Sequence, residues 1–302
     1  MTQSTIPIPD STARAEMSDG VTLALRRYAH PTGPRLVITH GNGFAVDGYR
    51  VFWEPLLADF DVVIFDMRNH GQSDANGADG HHYLQMSRDL VSVRDWVSKT
   101  WGERPTAGVF HSMTSRAAMK QAVEGSFIWD AMVLFDPPNV PPRGHALYEK
   151  MRRFETRLVD YALNREDQFD SVDALVKSYK AAPASKTWLP EAQNDMAQAV
   201  LEPGIDASQL VCKRELEASI YLAALTLDLW PDAADIGGPV TMICADPELE
   251  RGSPTAAPNR ALCTEGGYDY RPIANTGHLL QIERPQACRE AMLGFLSQIG
   301  FA

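Results

Sequence analysis

Ala107-Gly108-Val109-Phe110-His111-Ser112-Met113-Thr114-Ser115 is the stretch that decides how this chain is read. Its apolar first half has the character of a buried strand, and it runs directly into Arg116-Ala117-Ala118-Met119-Lys120, which reads as a helix. Ser112 stands at the corner between them. A serine there has its hydroxyl pushed clear of the sheet, and the adjoining helix N-terminus offers free N–H groups and positive dipole to an anion. Acyl transfer through a serine needs that layout, the nucleophile elbow. The usual elbow reads Gly-x-Ser-x-Gly, whereas Phe110 and Thr114 occupy both glycine positions here. Strand and helix must then pack more widely, or the serine is posed less sharply. Taken alone, the segment also fits a serine that merely caps a helix.

Outward from Ser112, strand and helix patterns alternate. Ala15-Glu16-Met17, a turn at Ser18-Asp19-Gly20 and Val21–Leu25 read as a hairpin. Arg35–Thr39, Asp61–Phe65 and Ala131–Phe135 read as short buried strands, and Val51–Leu57 as a short helix with Pro55 near its start or at a kink. Met86, Leu90, Val93 and Val97 recur at helical spacing. The alternation predicts an α/β fold with a mostly parallel sheet. It breaks at Asp136-Pro137-Pro138-Asn139-Val140-Pro141-Pro142, where four prolines end any regular element. From there to about Gly237 the pattern is helical, with Tyr148, Tyr161, Tyr179, Trp188, Tyr221 and Trp230 and no convincing strand. Strand character returns at Val240–Cys244 and Tyr268–Ile273, and a last helix runs from about Pro285 to Ile299. Residues 1–136 and 238–302 are thus expected to form the core. Residues 137–237 are expected to form a helical cap over the C-terminal edge of the sheet, where open α/β sheets bind ligands. The aromatic rings either line a pocket there or fasten the cap down.

With 302 residues, 44% of them hydrophobic, the chain can bury a full core. Its net charge of −11 argues against a general binder of nucleic acid or anionic membranes. The N-terminal stretch Met1–Pro9 is polar and proline-broken, unlike a signal peptide, and no segment approaches the apolar length of a membrane span. Cys212, Cys244, Cys263 and Cys288 lie far apart, so buried thiols in a reduced cytoplasmic compartment are expected, with no metal bound. Neither Gly-x-Gly-x-x-Gly nor Gly-x-x-x-x-Gly-Lys-Ser/Thr occurs, which leaves nucleotide phosphates no obvious cradle.

Three further segments bear on Ser112. Thr39-His40-Gly41-Asn42-Gly43-Phe44 follows a buried strand, and its glycines permit a tight turn with free N–H groups at the sheet edge. An oxyanion hole would draw a donor from Asn42 there, with Met113 supplying the other. An ordinary glycine turn is the alternative. Asp66-Met67-Arg68-Asn69-His70-Gly71-Gln72-Ser73-Asp74 reads as structural: Asp66 and Arg68 tie loops, Asn69 tolerates a left-handed backbone, and His70 is a hydrogen-bonding turn residue. Asn275-Thr276-Gly277-His278 places a histidine after the last strand, from which it can reach Ser112 as general base and then acid.

Taken in order, His40-Gly41-Asn42-Gly43, Asp66-x-Arg68-x-x-Gly71-x-Ser73, His111-Ser112-Met113 and Gly277-His278 resemble the landmarks of the α/β-hydrolase superfamily, over roughly residues 14 to 300. The resemblance implies an eight-stranded, mostly parallel sheet with an inserted cap. It also implies a serine hydrolase with a Ser-His-acid triad, no cofactor and a small-molecule substrate; a homodimer is compatible with it. Many relatives carry the acid after the strand that follows the cap, here Asp246 or Glu248. A dehalogenase branch carries it one strand earlier, and Ala245-Asp246-Pro247 is similar to that branch, which selects Asp136. The expected set is Ser112, His278 and Asp136, with Asp246 or Glu248 as the alternative acid. Dehalogenases and epoxide hydrolases of this fold use an aspartate nucleophile, so Ser112 disfavours those chemistries. Asn42 resembles a halide-binding asparagine, but without that aspartate its backbone N–H is the working part. An esterase on a small to medium, partly apolar substrate is the leading expectation. A C–C bond hydrolase or cofactor-free oxygenase on the same triad, or a non-catalytic ligand-binding homologue, is the alternative.

Overall fold

Strands that read as continuous apolar runs should be covered on both faces, and the computed structural model shows this arrangement. It describes residues 6–250 and 252–302; Arg251 and the first five residues of the polar N-terminal stretch lie outside the described residues. In chain order, β1 (Ser11–Glu16) and β2 (Thr22–Tyr28) form the hairpin. They are followed by β3 (Arg35–Ile38), α1 (Arg50–Trp53), β4 (Asp61–Phe65) and α2 (Tyr83–Trp101). Next come β5 (Thr106–His111), α3 (Met113–Glu124) and β6 (Ala131–Phe135). The stretch between β6 and the return to the sheet holds α4 (Tyr148–Asn164), β7 (Gln168–Phe169), α5 (Val172–Ala181) and α6 (Pro190–Ala199). It continues with β8 (Leu201–Pro203), β9 (Ser208–Leu210), α7 (Arg214–Ala224) and α8 (Ala233–Ile236). The chain closes with β10 (Val240–Ala245), α9 (Ala256–Gly266), β11 (Asp269–Ile273), α10 (Leu280–Glu283) and α11 (Pro285–Gln298).

The main sheet has eight strands in the order β1-β2-β4-β3-β5-β6-β10-β11. Among the described residues of this sheet, only β2 runs against its neighbours; every other pairing is parallel. Alternate residues of each inner strand serve opposite faces. Leu36, Ile38, Val62, Ile64, Val109 and Val133 enter the core that holds Phe52, Met292 and Phe295. Val37, Val63, Phe65, Phe110, Met132 and Leu134 enter the other, with Met86, Leu90 and Val93 of α2.

The segment from 137 to 237 departs from the all-helical expectation in one respect. β7, β9 and β8 form a small three-stranded antiparallel sheet. Strands of two or three residues are too short to show a period of two, so sequence pattern cannot reveal them. Trp188 fastens this segment to the core by packing edge-on against Phe44 (ring centroids 5.9 Å), and Tyr179 packs at a tilt against Trp188 within the segment (5.1 Å). The four cysteines are free and buried, and burial pushes each thiol up. No helix among the described residues is long and apolar enough to cross a membrane.

Candidate active site

The loops that leave the C-terminal ends of the strands carry the candidate residues, and they are also where the backbone is strained. Five non-glycine residues among those described have positive φ: Asn69, Ser112, Asp136, Asp228 and Asn275. All but Asp228 lie in loops that follow β4, β5, β6 and β11 at one edge of the sheet. A positive φ outside glycine costs on the order of 1–3 kcal/mol and clusters where function requires it.

Ser112 holds φ 55° and ψ −116° at the corner between β5 and α3, so the missing elbow glycines have not relaxed the turn. The sequence compensates locally. The Phe110 ring occupies the space a side chain at Gly108 would need, since a Cβ there would come within 2.4 Å of it, and it packs against Trp129. The Thr114 hydroxyl accepts from the His111 N–H (3.1 Å) and reaches the His40 carbonyl (3.0 Å). Thr114 thereby ties the corner to the neighbouring strand end instead of opening it.

The structure brings Ser112, His278 and Asp136 into one hydrogen-bonded chain. Ser112 Oγ lies 2.9 Å from His278 Nε2, and His278 Nδ1 lies 2.6 Å from Asp136 Oδ2. Asp136 is fully buried and accepts three further bonds: from the Thr255 hydroxyl (2.6 Å), the Asn259 amide (3.0 Å) and the Ala245 N–H (3.1 Å). Four donors and no acceptor converge on it, which an ionised carboxylate satisfies at both oxygens. That pattern sets the tautomer of His278: the proton sits on Nδ1 and leaves Nε2 to accept from the serine hydroxyl. Asp246 and Glu248 take no part. Asp246 caps the N–H groups of Glu248 (2.8 Å) and Asn275 (2.7 Å), and Glu248 pairs with Arg260 (2.6 Å) at the surface.

The turn at Gly41-Asn42-Gly43 lies against the serine. A Cβ on Gly41 would come within 3.0 Å of Ser112 Cβ and 2.8 Å of His111 Nδ1. The Asn42 side chain donates to the Glu217 carbonyl of α7 (2.9 Å), which holds the turn from above. The backbone N–H groups of Asn42 and Met113 are spent on no partner among the described residues. The remaining landmark residues are scaffold. Arg68 forms a two-pronged pair with Asp89 (2.7 Å each) and reaches Asp19 (2.8 Å); Asp66 accepts from Val46 N–H (2.8 Å) and Gln72 N–H (3.1 Å). His70 Nε2 accepts from the Gly43 N–H (3.0 Å) and His40 Nε2 from the Met67 N–H (3.0 Å). Burial holds both rings neutral, with pKa values pushed down to about 3 and about 4.

Sequence pattern alone misses a connection through Tyr49 and His111. The Gly41 N–H donates to the Tyr49 hydroxyl (3.3 Å), which donates to His111 Nδ1 (2.8 Å). His111 Nε2–H in turn donates to the His278 carbonyl (2.9 Å). One buried chain therefore links the turn beside Ser112 to the backbone of His278. Burial and the nearby His278 hold His111 well below the usual histidine range, so its Nδ1 remains an acceptor. Thr255 and Asn259, which buttress Asp136, carry no sequence signature either.

A fold and site of this kind define a class, and direct comparison agrees. The family model described as the alpha/beta hydrolase family matches residues 36–291, and the chain belongs to that family. None of the curated proteins matches at the sequence level. Many solved structures share the fold. E-2-(acetamidomethylene)succinate hydrolase superposes with TM-score 0.77 at 16% identity, covering 95% of this chain and 99% of its own. N-formylmaleamic acid deformylase from Pseudomonas putida S16 gives 0.64 at 14%, covering 93% and 100%. A carboxylesterase structure from Nitrososphaera gargenis gives 0.69 at 14%, covering 96% and 98%.

Proposed function

We propose that this chain is a serine hydrolase, a carboxylic-ester hydrolase that works through an acyl-enzyme. The observation that carries the reading is the continuous chain from Ser112 Oγ through His278 to the four-donor site of Asp136. In this reading Ser112 Oγ attacks the ester carbonyl carbon while His278 Nε2 takes the hydroxyl proton. The carbonyl oxygen becomes an oxyanion, held by the N–H groups of Asn42 and Met113. Collapse expels the alcohol, which receives the proton from His278. Water, deprotonated by the same nitrogen, then releases the acid and restores the serine. Asp136 holds the imidazole orientation and stabilises the imidazolium in both halves. Residues 137–237 act as a cap, with α7 covering the oxyanion turn through the bond from Asn42. The buried free thiols suit a cytoplasmic setting.

Hydrolysis of a p-nitrophenyl ester series by the wild-type protein and by Ser112→Ala tests the reading. Loss of a triad nucleophile costs turnover by roughly a millionfold in a well-measured case, so Ser112→Ala is expected to show no turnover above the solvent rate. A folded Ser112→Ala protein that keeps the wild-type rate overturns it.

A further inference from the structure

One residue of α7, Glu217, meets the turn that carries Asn42 in two places. Its carbonyl accepts from the Asn42 side chain (2.9 Å). Its carboxyl group lies on the Cα of Gly43, where an added Cβ would come within 2.9 Å of it, at a φ of 75° that already favours glycine. The Gly43 N–H donates to His70 Nε2 (3.0 Å). The turn is therefore gripped between the loop after β4 and a helix of the 137–237 segment.

The Glu217 carboxylate is itself fixed from two sides. Arg165, the residue that ends α4, brings Nη2 to 2.6 Å from Oε2, and both side chains are mostly buried. Tyr221, one turn further along α7, donates its hydroxyl to Oε1 (3.1 Å). The Arg165 main chain is fastened to the same helix, since its carbonyl accepts from Nη1 of Arg214, the first residue of α7 (3.1 Å). A buried ion pair is a poor stabiliser, because taking both charges out of water offsets their attraction, and apolar groups of similar volume often serve as well. Stability alone therefore gives no reason for a charged pair at this place. An ion pair does fix what an apolar contact leaves loose, the register of α7 against α4, and the turn is tied to α7.

We propose that Arg165 and Glu217 are positioning residues for the oxyanion turn, acting through the Asn42 side chain and the Gly43 backbone. Neither touches the substrate. The inference rests on the serine hydrolase reading and deepens it: the 137–237 segment holds half of the oxyanion hole in place. Without the pair, α7 loses its register and the Asn42 N–H drifts from the point where the oxyanion forms. That donor meets full charge only in the transition state, so the loss falls on kcat and leaves KM nearly unchanged.

The test uses Glu217→Gln, which keeps the shape, and the paired variant Arg165→Met/Glu217→Gln, which leaves no unpartnered charge, each in the wild-type and the Asn42→Ala background. Urea unfolding checks the fold, and if the paired variant does not fold, Glu217→Gln carries the same comparison. In the wild-type background kcat for p-nitrophenyl butyrate is expected to fall about tenfold, part of the loss seen when an oxyanion donor is removed outright, with KM changed by no more than about twofold. A trifluoromethyl ketone, which forms an oxyanion on Ser112, should bind more weakly by the same factor as the loss in kcat/KM. In the Asn42→Ala background the same substitutions should change kcat by no more than about twofold, because residues that act through one contact are not additive. Wild-type kcat in a folded variant, a loss confined to KM, or full losses that multiply with Asn42→Ala overturn the proposal. Failure of the hydrolase reading is distinguishable: no ester is turned over and a fluorophosphonate does not label Ser112. In that case amide hydrogen exchange of a peptide spanning residues 40–45 decides, with exchange about tenfold faster in the folded variants than in the wild type supporting the positioning role and unchanged exchange overturning it.

Discussion

Asp136→Asn isolates the role of the acid, because the substitution changes one atom in a site where every bond is defined. The native carboxylate accepts four hydrogen bonds: two at Oδ1, from Ala245 N–H and Asn259, and two at Oδ2, from His278 and Thr255. An asparagine must present an NH2 group to one of these pairs. At Oδ1 it would oppose a fixed backbone N–H and a fixed amide, so it turns toward Oδ2. There the Thr255 hydroxyl can rotate, but His278 must move its proton from Nδ1 to Nε2. The protonated Nε2 then faces Ser112 Oγ, and the general base is lost with the geometry intact. The expected fall in kcat is about 10⁴-fold, the scale measured for the same exchange in a serine protease. Stability should fall by about 1–3 kcal/mol for the compromised buried bond. Asp246→Asn should change kcat by no more than about twofold, since surface substitutions stay within roughly 0.5 kcal/mol. Steady-state hydrolysis of p-nitrophenyl butyrate, with urea unfolding alongside, reads both quantities. The reasoning is refuted if Asp136→Asn keeps more than about a tenth of the wild-type kcat, or if Asp246→Asn causes the collapse instead.

Other expectations follow from the same contacts. Tyr49→Phe removes the hydroxyl between Gly41 and His111 and leaves His111 Nδ1 buried without a donor. It should lower urea stability by about 1–3 kcal/mol and reduce kcat by a larger factor than it raises KM; a destabilised variant with full kcat would assign Tyr49 to the fold alone. Gly41→Ala pushes a methyl to within 3.0 Å of Ser112 Cβ, and fluorophosphonate labelling should slow by about 100-fold, as for a misplacement near 1 Å; labelling at the wild-type rate would show that the turn yields without effect. The pKa of His70 is depressed from 6.5 to about 3, so its contribution is complete above 6.5 and is lost as pH falls toward 3. In that window the unfolded chain takes up the proton first, and wild-type stability relative to His70→Gln should drop by about 1.4 kcal/mol per pH unit. Urea midpoints for both proteins at pH 7, 6 and 5 test this, and a pH-independent difference between them would contradict it.

Much of the sheet could be read from the chain because its inner strands are short apolar runs between turn signals, and Ser112 was visible at the corner where one of them becomes a helix. Loop residues with single local jobs were equally legible: Asn69 does adopt positive φ, and Arg68 and Asp66 do tie loops. What escaped depends on strand order. Asp136 and Asp246 follow the neighbouring strands β6 and β10, so composition leaves both open, and only the direction of His278 Nδ1 separates them. Thr255 and Asn259 meet Asp136 across more than a hundred residues of sequence, and Tyr49 meets His111 across 62. No local pattern encodes such pairs. Phe110 looked like a defect in the elbow because its compensation, Gly108, lies two residues away on the same face of β5. The strands β7, β8 and β9 were hidden by their brevity.

The central claim is that Ser112 is a nucleophile activated by His278. Incubating the protein with a fluorophosphonate and locating the adduct by peptide mass spectrometry tests it most directly. The account predicts a single adduct on Ser112, formed rapidly by the wild-type protein and lost in a folded His278→Ala variant. An adduct on another residue, or labelling of Ser112 that proceeds at the same rate without His278, would contradict it.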